Sequence, residues 1–294
     1  MINKLRQQYP VSALCRQFNV TLSGYHRWQT APPCARQQEE GRLEAEILAA
    51  YNRTRGTYGA ERLREDLAFH GIKVGIHRIK RICRKLGLKC KQKKKFKATT
   101  NSKHNLPVAA NLLGQVFQAD RPGQIWLTDI TYIATEEGWL YLAGYKDIFT
   151  GEIVGYAMNK RMTRGLVIQA LFQAVSTKRP AEGLIVHSDR GSQYCSSSFT
   201  RVLKQFGIQA SMSRKGNCYD NAPMESFWGT LKAELIHHRK YTSRNQAEAE
   251  IREYIEIFYN RQRIQKRLGY CSPATFERKY FSKMKKKERF GIHY

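Results

Sequence analysis

Three acidic residues occupy positions that ask for a chemical reason. Asp129 sits within WLTDITYI, a run of strand character where a carboxylate is unfavourable. Asp189 closes the apolar stretch LIVHSD, just before Arg190-Gly191 open a loop. Glu225 falls in the first turn of a helix opened by Asn221-Ala222-Pro223, where the helix dipole favours an acid in any protein. Each alone is weak evidence, since Asp189 also reads as a turn residue and Glu225 as a cap-region acid. Together they form the donor set of hard divalent cations, whose remaining positions go to waters and a substrate phosphate. Two Mg²⁺ (or Mn²⁺) ions about 3.5–4 Å apart can activate an attacking hydroxyl and stabilise a leaving oxygen. The expected chemistry is therefore metal-dependent phosphoryl transfer, with Asp129, Asp189 and Glu225 as catalytic and metal-binding residues. Lys232 follows Glu225 by two helical turns and is expected to reach a phosphate beside the metals. The polar loop SRKGNCYDN (213–221) precedes Glu225. Lys215 and Tyr219 within it, and Arg190 after Asp189, are expected DNA contacts, Tyr219 by stacking on a base.

Neighbouring residues have plainer readings. His187 either orients the site or packs. Asp147 reads as a turn cap or a lysine's partner, Asp220 and Asn221 as helix starters, and Trp126 and Trp228 as core.

The acids need elements that converge. IWLTDITYIA (125–134), WLYLAGYKDIF (139–149) and EIVGYAMNK (152–160) are rich in β-branched and aromatic residues, with turns at Gly138 and Thr150-Gly151. They predict three antiparallel strands. A helix over 163–176, a buried strand over 184–189, a helix over 197–206, a strand over 208–213 and a long helix over 223–240 follow. The order βββαβαβα is that of the ribonuclease-H-like fold, although periodicity alone leaves other α/β arrangements open. A further helix is expected over 246–260, then the basic tail KMKKKER.

The N-terminal half is helical in pattern. Residues 11–29 read as two short helices, one burying Leu14 and Phe18, the other capped by Ser23 and burying Tyr25 and Trp28. This is helix-turn-helix spacing. Pro32-Pro33 ends the unit. Next come a helix over 39–53 with Leu43, Ile47, Leu48 and Tyr51 on one side, a helix around Leu63 and Leu67, and a helix from Gly75 to Gly87 burying Ile79, Ile82 and Leu86. The last carries His77, Arg78, Lys80, Arg81, Arg84 and Lys85 outward, a face suited to lie on DNA. KCKQKKKFK (89–97) holds six lysines in nine residues, among them Lys93, Lys94 and Lys95, and reads as a linker along phosphates.

The whole chain supports a nucleic-acid partner. Its 294 residues carry 51 Lys and Arg against 24 Asp and Glu, a net charge of +27, which self-repels unless a polyanion answers it. A hydrophobic share of 41% excludes wholesale disorder. Seven cysteines, an odd number without a CxxC pair, fit a reduced intracellular compartment. No apolar run is long enough to predict a membrane span.

Against this background the chain resembles the transposases of the IS3 group of bacterial insertion sequences, with their integrase-type catalytic core. The resemblance rests on WLTDITY (126–132), HSDRGSQY (187–194), GNCYDNAPMESFW (216–228), KAE (232–234), YNR (259–261) and LGYCSP (268–273), and spans about residues 40 to 280. Asp189 and Glu225 have 35 residues between them, the DD(35)E spacing of that superfamily. The resemblance implies Asp129, Asp189 and Glu225 as the metal-binding triad and Lys232 as the basic residue that follows it. It also implies binding to the element's terminal inverted repeats and to target DNA, DNA cleavage and strand transfer, a homo-oligomer on DNA, a circular DNA intermediate, and a cytoplasmic, nucleoid-associated location. In that family an upstream reading frame often supplies a helix-turn-helix and leucine zipper; this chain begins at Met1 without sustained heptads, so such a polypeptide is an expected partner. His70, His77, Cys83 and Cys90 come in the order of a retroviral zinc site but without its spacing, so zinc is not expected.

The fold class expected is an α/β ribonuclease-H-like (integrase-type) core with an N-terminal all-α helix-turn-helix region. The expected divisions are a helix-turn-helix-like segment (1–33), a helical DNA-binding domain (34–88), a basic linker (89–118), the catalytic core (119–242), and a C-terminal helix with basic tail (243–294). Two other functions stay open at this point: a DNA-binding regulator with a scaffold-only core, and a ribonuclease-H-type nuclease.

Overall fold

The β-branched and aromatic runs of 125–159 form a three-stranded meander in the computed structural model, which describes residues 1–91, 107–214 and 218–289. Strands β1 (Ile125–Thr135), β2 (Gly138–Asp147) and β3 (Ile153–Asn159) pair antiparallel. Two short strands, β4 (Ile185–Ser188) and β5 (Gln209–Met212), extend the sheet in parallel beyond β1, giving the order β3-β2-β1-β4-β5. Alternation sorts the side chains by face. Ile125, Leu127 and Leu142 belong to one apolar layer, and Trp126, Ala143 and Tyr145 to the other.

The layer of Trp126 is covered by two helices that follow six others in the chain. In order these are α1 (Ile2–Leu5), α2 (Val11–Gln17), α3 (Leu22–Thr30), α4 (Ala35–Arg53), α5 (Ala60–Phe69) and α6 (Ile76–Lys85). The covering pair is α7 (Arg164–Lys178) and α8 (Ser197–Gln205). Helix α7 approaches β3 so closely at Gly155 that a Cβ there would lie 2.6 Å from the Ala170 carbonyl. The opposite layer is covered by α9 (Ala222–Glu234) and by α10 (Arg244–Glu253), which continues as a wide π-helical stretch over Tyr254–Gln262. The fold is the ribonuclease-H-like core with an all-α N-terminal region.

Helix α9 stops at Glu234, short of the expected Lys240. Leu235 leaves helical geometry, a 3₁₀ turn spans Ile236–His238, and His238 Nε2 meets the Ala233 carbonyl at 2.8 Å. Glu234 is drawn inward to Arg263, with Nη2–Oε1 at 2.7 Å, and accepts the Tyr254 hydroxyl at 2.7 Å. The segment expected as a basic tail is helical in its described part, since α11 (Pro273–Arg289) includes it.

Helices α4, α5 and α6 share a core of Leu43, Ile47, Ala50, Leu63, Leu67, Ile79 and Ile82. Leu48 points outward, because it stands a full 100° round the helix from Ile47. The loop after α4 and the segment after α6 join this unit to the core. Tyr58 Oη accepts the Ile264 amide at 2.8 Å, Arg55 lies 4.7 Å from the centre of the Phe258 ring, and Lys91 Nζ donates to the Glu234 carbonyl at 3.1 Å.

The first three helices correct two expectations. Thr21, not Ser23, caps α3, accepting the Gly24 amide at 3.1 Å, because the extended residue that precedes the helix is Thr21. Tyr25 is buried, but Trp28 is 64% exposed and Phe18 is exposed, since three short helices provide one thin apolar layer.

Candidate active site

Register brings the first two acids together. Leu127 pairs with His187 across the parallel β1–β4 seam, so Asp129 and Asp189, each two residues on, leave the seam at the same level. Asp129 lies opposite Gly144 on β2. A Cβ at Gly144 would meet Met224 and Trp228 at 3.0 Å, so glycine there lets α9 lie flat against the strand. The start of α9 is tied to the same strand by Asn221 Nδ2, which donates to the Thr128 carbonyl at 3.1 Å. Glu225, in the first turn of α9, thereby faces the two aspartates.

Asp129 and Glu225 both sense the charge of Asp189. Burial, and then the charge of Asp189, push Asp129 well above the ordinary carboxylate range, with a smaller push from Glu225. Partial burial and Asp189 also raise Glu225. Each aspartate is fixed by a neutral donor. Trp228 Nε1 donates to Asp129 Oδ2 at 3.1 Å, and the Gly191 amide donates to Asp189 Oδ1 at 2.9 Å. Among the described residues no three His, Cys, Asp or Glu side chains close on one point as a ready metal cage. The triad is an open, mutually repelling set of carboxylates, the kind that suits hard cations completed by water and substrate.

Lys232 lies on the same side of α9 as Glu225 but is only 6% exposed, its ammonium 4.9 Å from the centre of the Tyr132 ring. Burial lowers its pKa, opposed by the charge of Asp129. It is therefore a buried cation beside the acids, not an extended surface arm. His187 is fully buried, with Nδ1 2.8 Å from Ser211 Oγ and Nε2 3.3 Å from Ser213 Oγ, so it stitches β4 to β5. Asp147 caps a turn, accepting the Thr150 amide at 2.8 Å, and accepts Trp126 Nε1 at 3.1 Å. Asp220 does not start the helix by capping it. It takes hydrogen bonds from Arg214, Asn111 and Gln115, and the Arg214 guanidinium holds it far below the usual carboxylate range.

The expected DNA contacts are scattered. Arg190 donates to the Ser213 carbonyl at 2.7 Å, and Tyr219 is 71% exposed. On α6, Arg78 pairs with Glu39 and Glu40, Arg81 with Glu40, and Lys85 with Glu44, so acids of α4 already answer these cations. Lys80, Arg84 and His77 remain on the exposed side. Lys93, Lys94, Lys95 and Lys215 lie outside the described residues. Sequence reasoning missed Trp228 as the partner of Asp129. Its spacing of three from Glu225 was the available signal, since i and i+3 share a helix side.

Comparison with known proteins agrees with this architecture. The integrase core domain family matches residues 119–218, a second integrase core domain family matches 225–281, and an HTH-like domain family matches 37–96. An insertion element IS600 uncharacterized 31 kDa protein of Shigella sonnei is 57% identical over 91% of this chain and 98% of its own length. The transposase InsF for insertion sequence IS3A of Escherichia coli (strain K12) is 39% identical over 95% of this chain and 97% of its own. The chain belongs to the IS3 family of insertion-sequence transposases. Among solved structures, a simian T-cell lymphotropic virus intasome chain aligns with a TM-score of 0.47 at 17% identity, covering 73% of this chain and 70% of that one. The HTLV-2 integrase catalytic core domain in complex with magnesium aligns with a TM-score of 0.44, also at 17% identity, over 54% of this chain and 99% of that one. As a member of this family the chain is a DNA-binding transposase with an integrase core. No helix among the described residues is long and apolar enough to cross a membrane.

Proposed function

We propose that this transposase cuts DNA at the ends of its element and joins them to target DNA by phosphoryl transfer at Asp129, Asp189 and Glu225. The observation that supports this reading is the meeting of three carboxylates from β1, the end of β4 and the start of α9, where the charge of Asp189 raises both Asp129 and Glu225. Divalent ions, Mg²⁺ or Mn²⁺ and two per site, supply an activated hydroxyl and a stabilised leaving oxygen when bound. Asp129 and Asp189 are the fixed ligands, each oriented by its N–H donor. Glu225 is the most exposed of the three and so the one most open to an incoming substrate. Lys232 offsets part of the negative charge from within the protein. The proposed substrates are the terminal inverted repeats and target DNA, the proposed working form is a homo-oligomer on DNA, and an upstream-frame polypeptide is a further proposed partner.

The test uses duplex oligonucleotides carrying the element ends. Asp129→Asn, Asp189→Asn and Glu225→Gln are each expected to abolish cleavage and joining while end binding persists. Chelation of divalent ions should stop the wild type, and added Mg²⁺ or Mn²⁺ should restore it. Cleavage that survives any of the three substitutions, or chelation, sinks the assignment.

A further inference from the structure

A second feature lies on the far flank of the catalytic helix. A cleft of about 760 Å³ runs between the helical unit of α5 and α6 and the core. Its walls carry Arg62, Lys80, Lys91, Lys146, Lys266 and Arg267, together with Arg263. The acids on the walls are Glu61 and Glu234, and Glu234 is already committed to Arg263. Pro223, Ser226, Thr230 and Glu234 form its α9 side. At 100° per residue these positions stand roughly opposite Glu225 and Lys232. The cleft is thus separate from the catalytic pocket, with one helix as the partition.

Several details show that the cleft is short of anions. Burial lowers the pKa of the partly buried Lys91 and Arg62 more than the nearby Glu234 raises it. Lys146 is buried and donates to the Pro223 carbonyl at 2.9 Å, the first turn of α9. A row of cations that outnumbers the acids beside it matches a chain of phosphate oxygens. Helix α6 divides its cations between two surroundings. Its Arg81 and Lys85 stripe is answered by α4 acids, whereas Lys80, one step round the helix, is turned into the cleft.

From this we infer that the cleft is a second nucleic-acid site, which grips the sugar-phosphate backbone of DNA behind α9 while the carboxylate pocket acts on DNA in front of it. The inference rests on the DNA-processing function proposed above. It makes the helical unit and the segment after Gln262 joint walls of one DNA path.

The test measures binding of the full chain to element-end duplex by fluorescence anisotropy across a salt series. Lys80→Ala with Lys266→Ala removes one exposed cation from each wall. The slope of log affinity against log salt is expected to fall by roughly 1.8, about 0.9 for each phosphate no longer neutralised. Arg201→Ala with Lys204→Ala removes the same charge from α8, on the sheet's other face, and should leave the slope within about 0.3 of wild type. Equal slopes for the cleft variant and wild type, or equal reductions in the two variants, overturn the cleft site alone. Absence of duplex binding by the wild type overturns both this site and the function it rests on. Thermal unfolding midpoints within a few degrees of wild type establish that both variants are folded.

Discussion

Trp228→Phe separates orientation of Asp129 from packing of α9. The substitution deletes the indole N–H that holds Asp129 Oδ2 at 3.1 Å and keeps an aromatic ring against Gly144. A hydrogen bond to a charged group contributes about 1.5–3 kcal/mol. If it is needed in the reacting arrangement, its loss slows cleavage by about 10- to 150-fold, at 1.4 kcal/mol per tenfold. The smaller ring also leaves a gap and costs stability, on the order of 0.5–3 kcal/mol. A matched control removes that ambiguity. Trp126 Nε1 donates to an aspartate oxygen at the same 3.1 Å, but the acceptor is Asp147, a turn cap facing the sheet's other layer. Trp126→Phe should therefore cost similar stability and change cleavage per folded molecule less than about threefold. The assay is single-turnover cleavage of a labelled element-end duplex, well below both unfolding transitions. Equal rate reductions in the two variants, or an unchanged rate in Trp228→Phe, would refute the view that Trp228 orients a catalytic carboxylate.

Two further tests address the scaffold. Arg263→Met leaves Glu234 buried without its cation and should cost about 3–5 kcal/mol in denaturant unfolding, while the double change with Glu234→Met recovers much of it; a single-variant loss under about 1 kcal/mol would show that the pair does not hold α9. Asp220 contributes stability as a depressed acid. Its folded pKa lies below its unfolded value, so the contribution is full above about pH 4 and fades as pH falls toward the folded pKa. The stability gap between wild type and Asp220→Asn should accordingly be widest at pH 7, start to shrink below about pH 4 and be only partly lost at pH 3; a gap independent of pH excludes the ionised Arg214 contact as its source.

Much of this protein was legible in its residues. The β-branched and aromatic runs of 125–159, broken at Gly138 and Thr150-Gly151, marked the meander, because a sheet covered on both faces needs strands that are apolar along their length. Asp129, Asp189 and Glu225 stood out because an acid in a strand, at a strand end and at a helix start each demands a local reason, and the three together suggest one chemistry. The +27 charge pointed to a polyanion. Tertiary structure decided what each charge meets. Periodicity showed that Arg78, Arg81 and Lys85 face away from the α6 core, but not that Glu39, Glu40 and Glu44 of α4 lie across from them. It showed Lys232 on the side of Glu225, but not that Tyr132 and the sheet bury it. Nor could it show Glu234 pulling α9 to an early end, since the partner Arg263 is 29 residues away and reaches it only through the π-helical stretch. Local sequence sets which way a side chain points on its own element; which group it meets there depends on how distant elements pack.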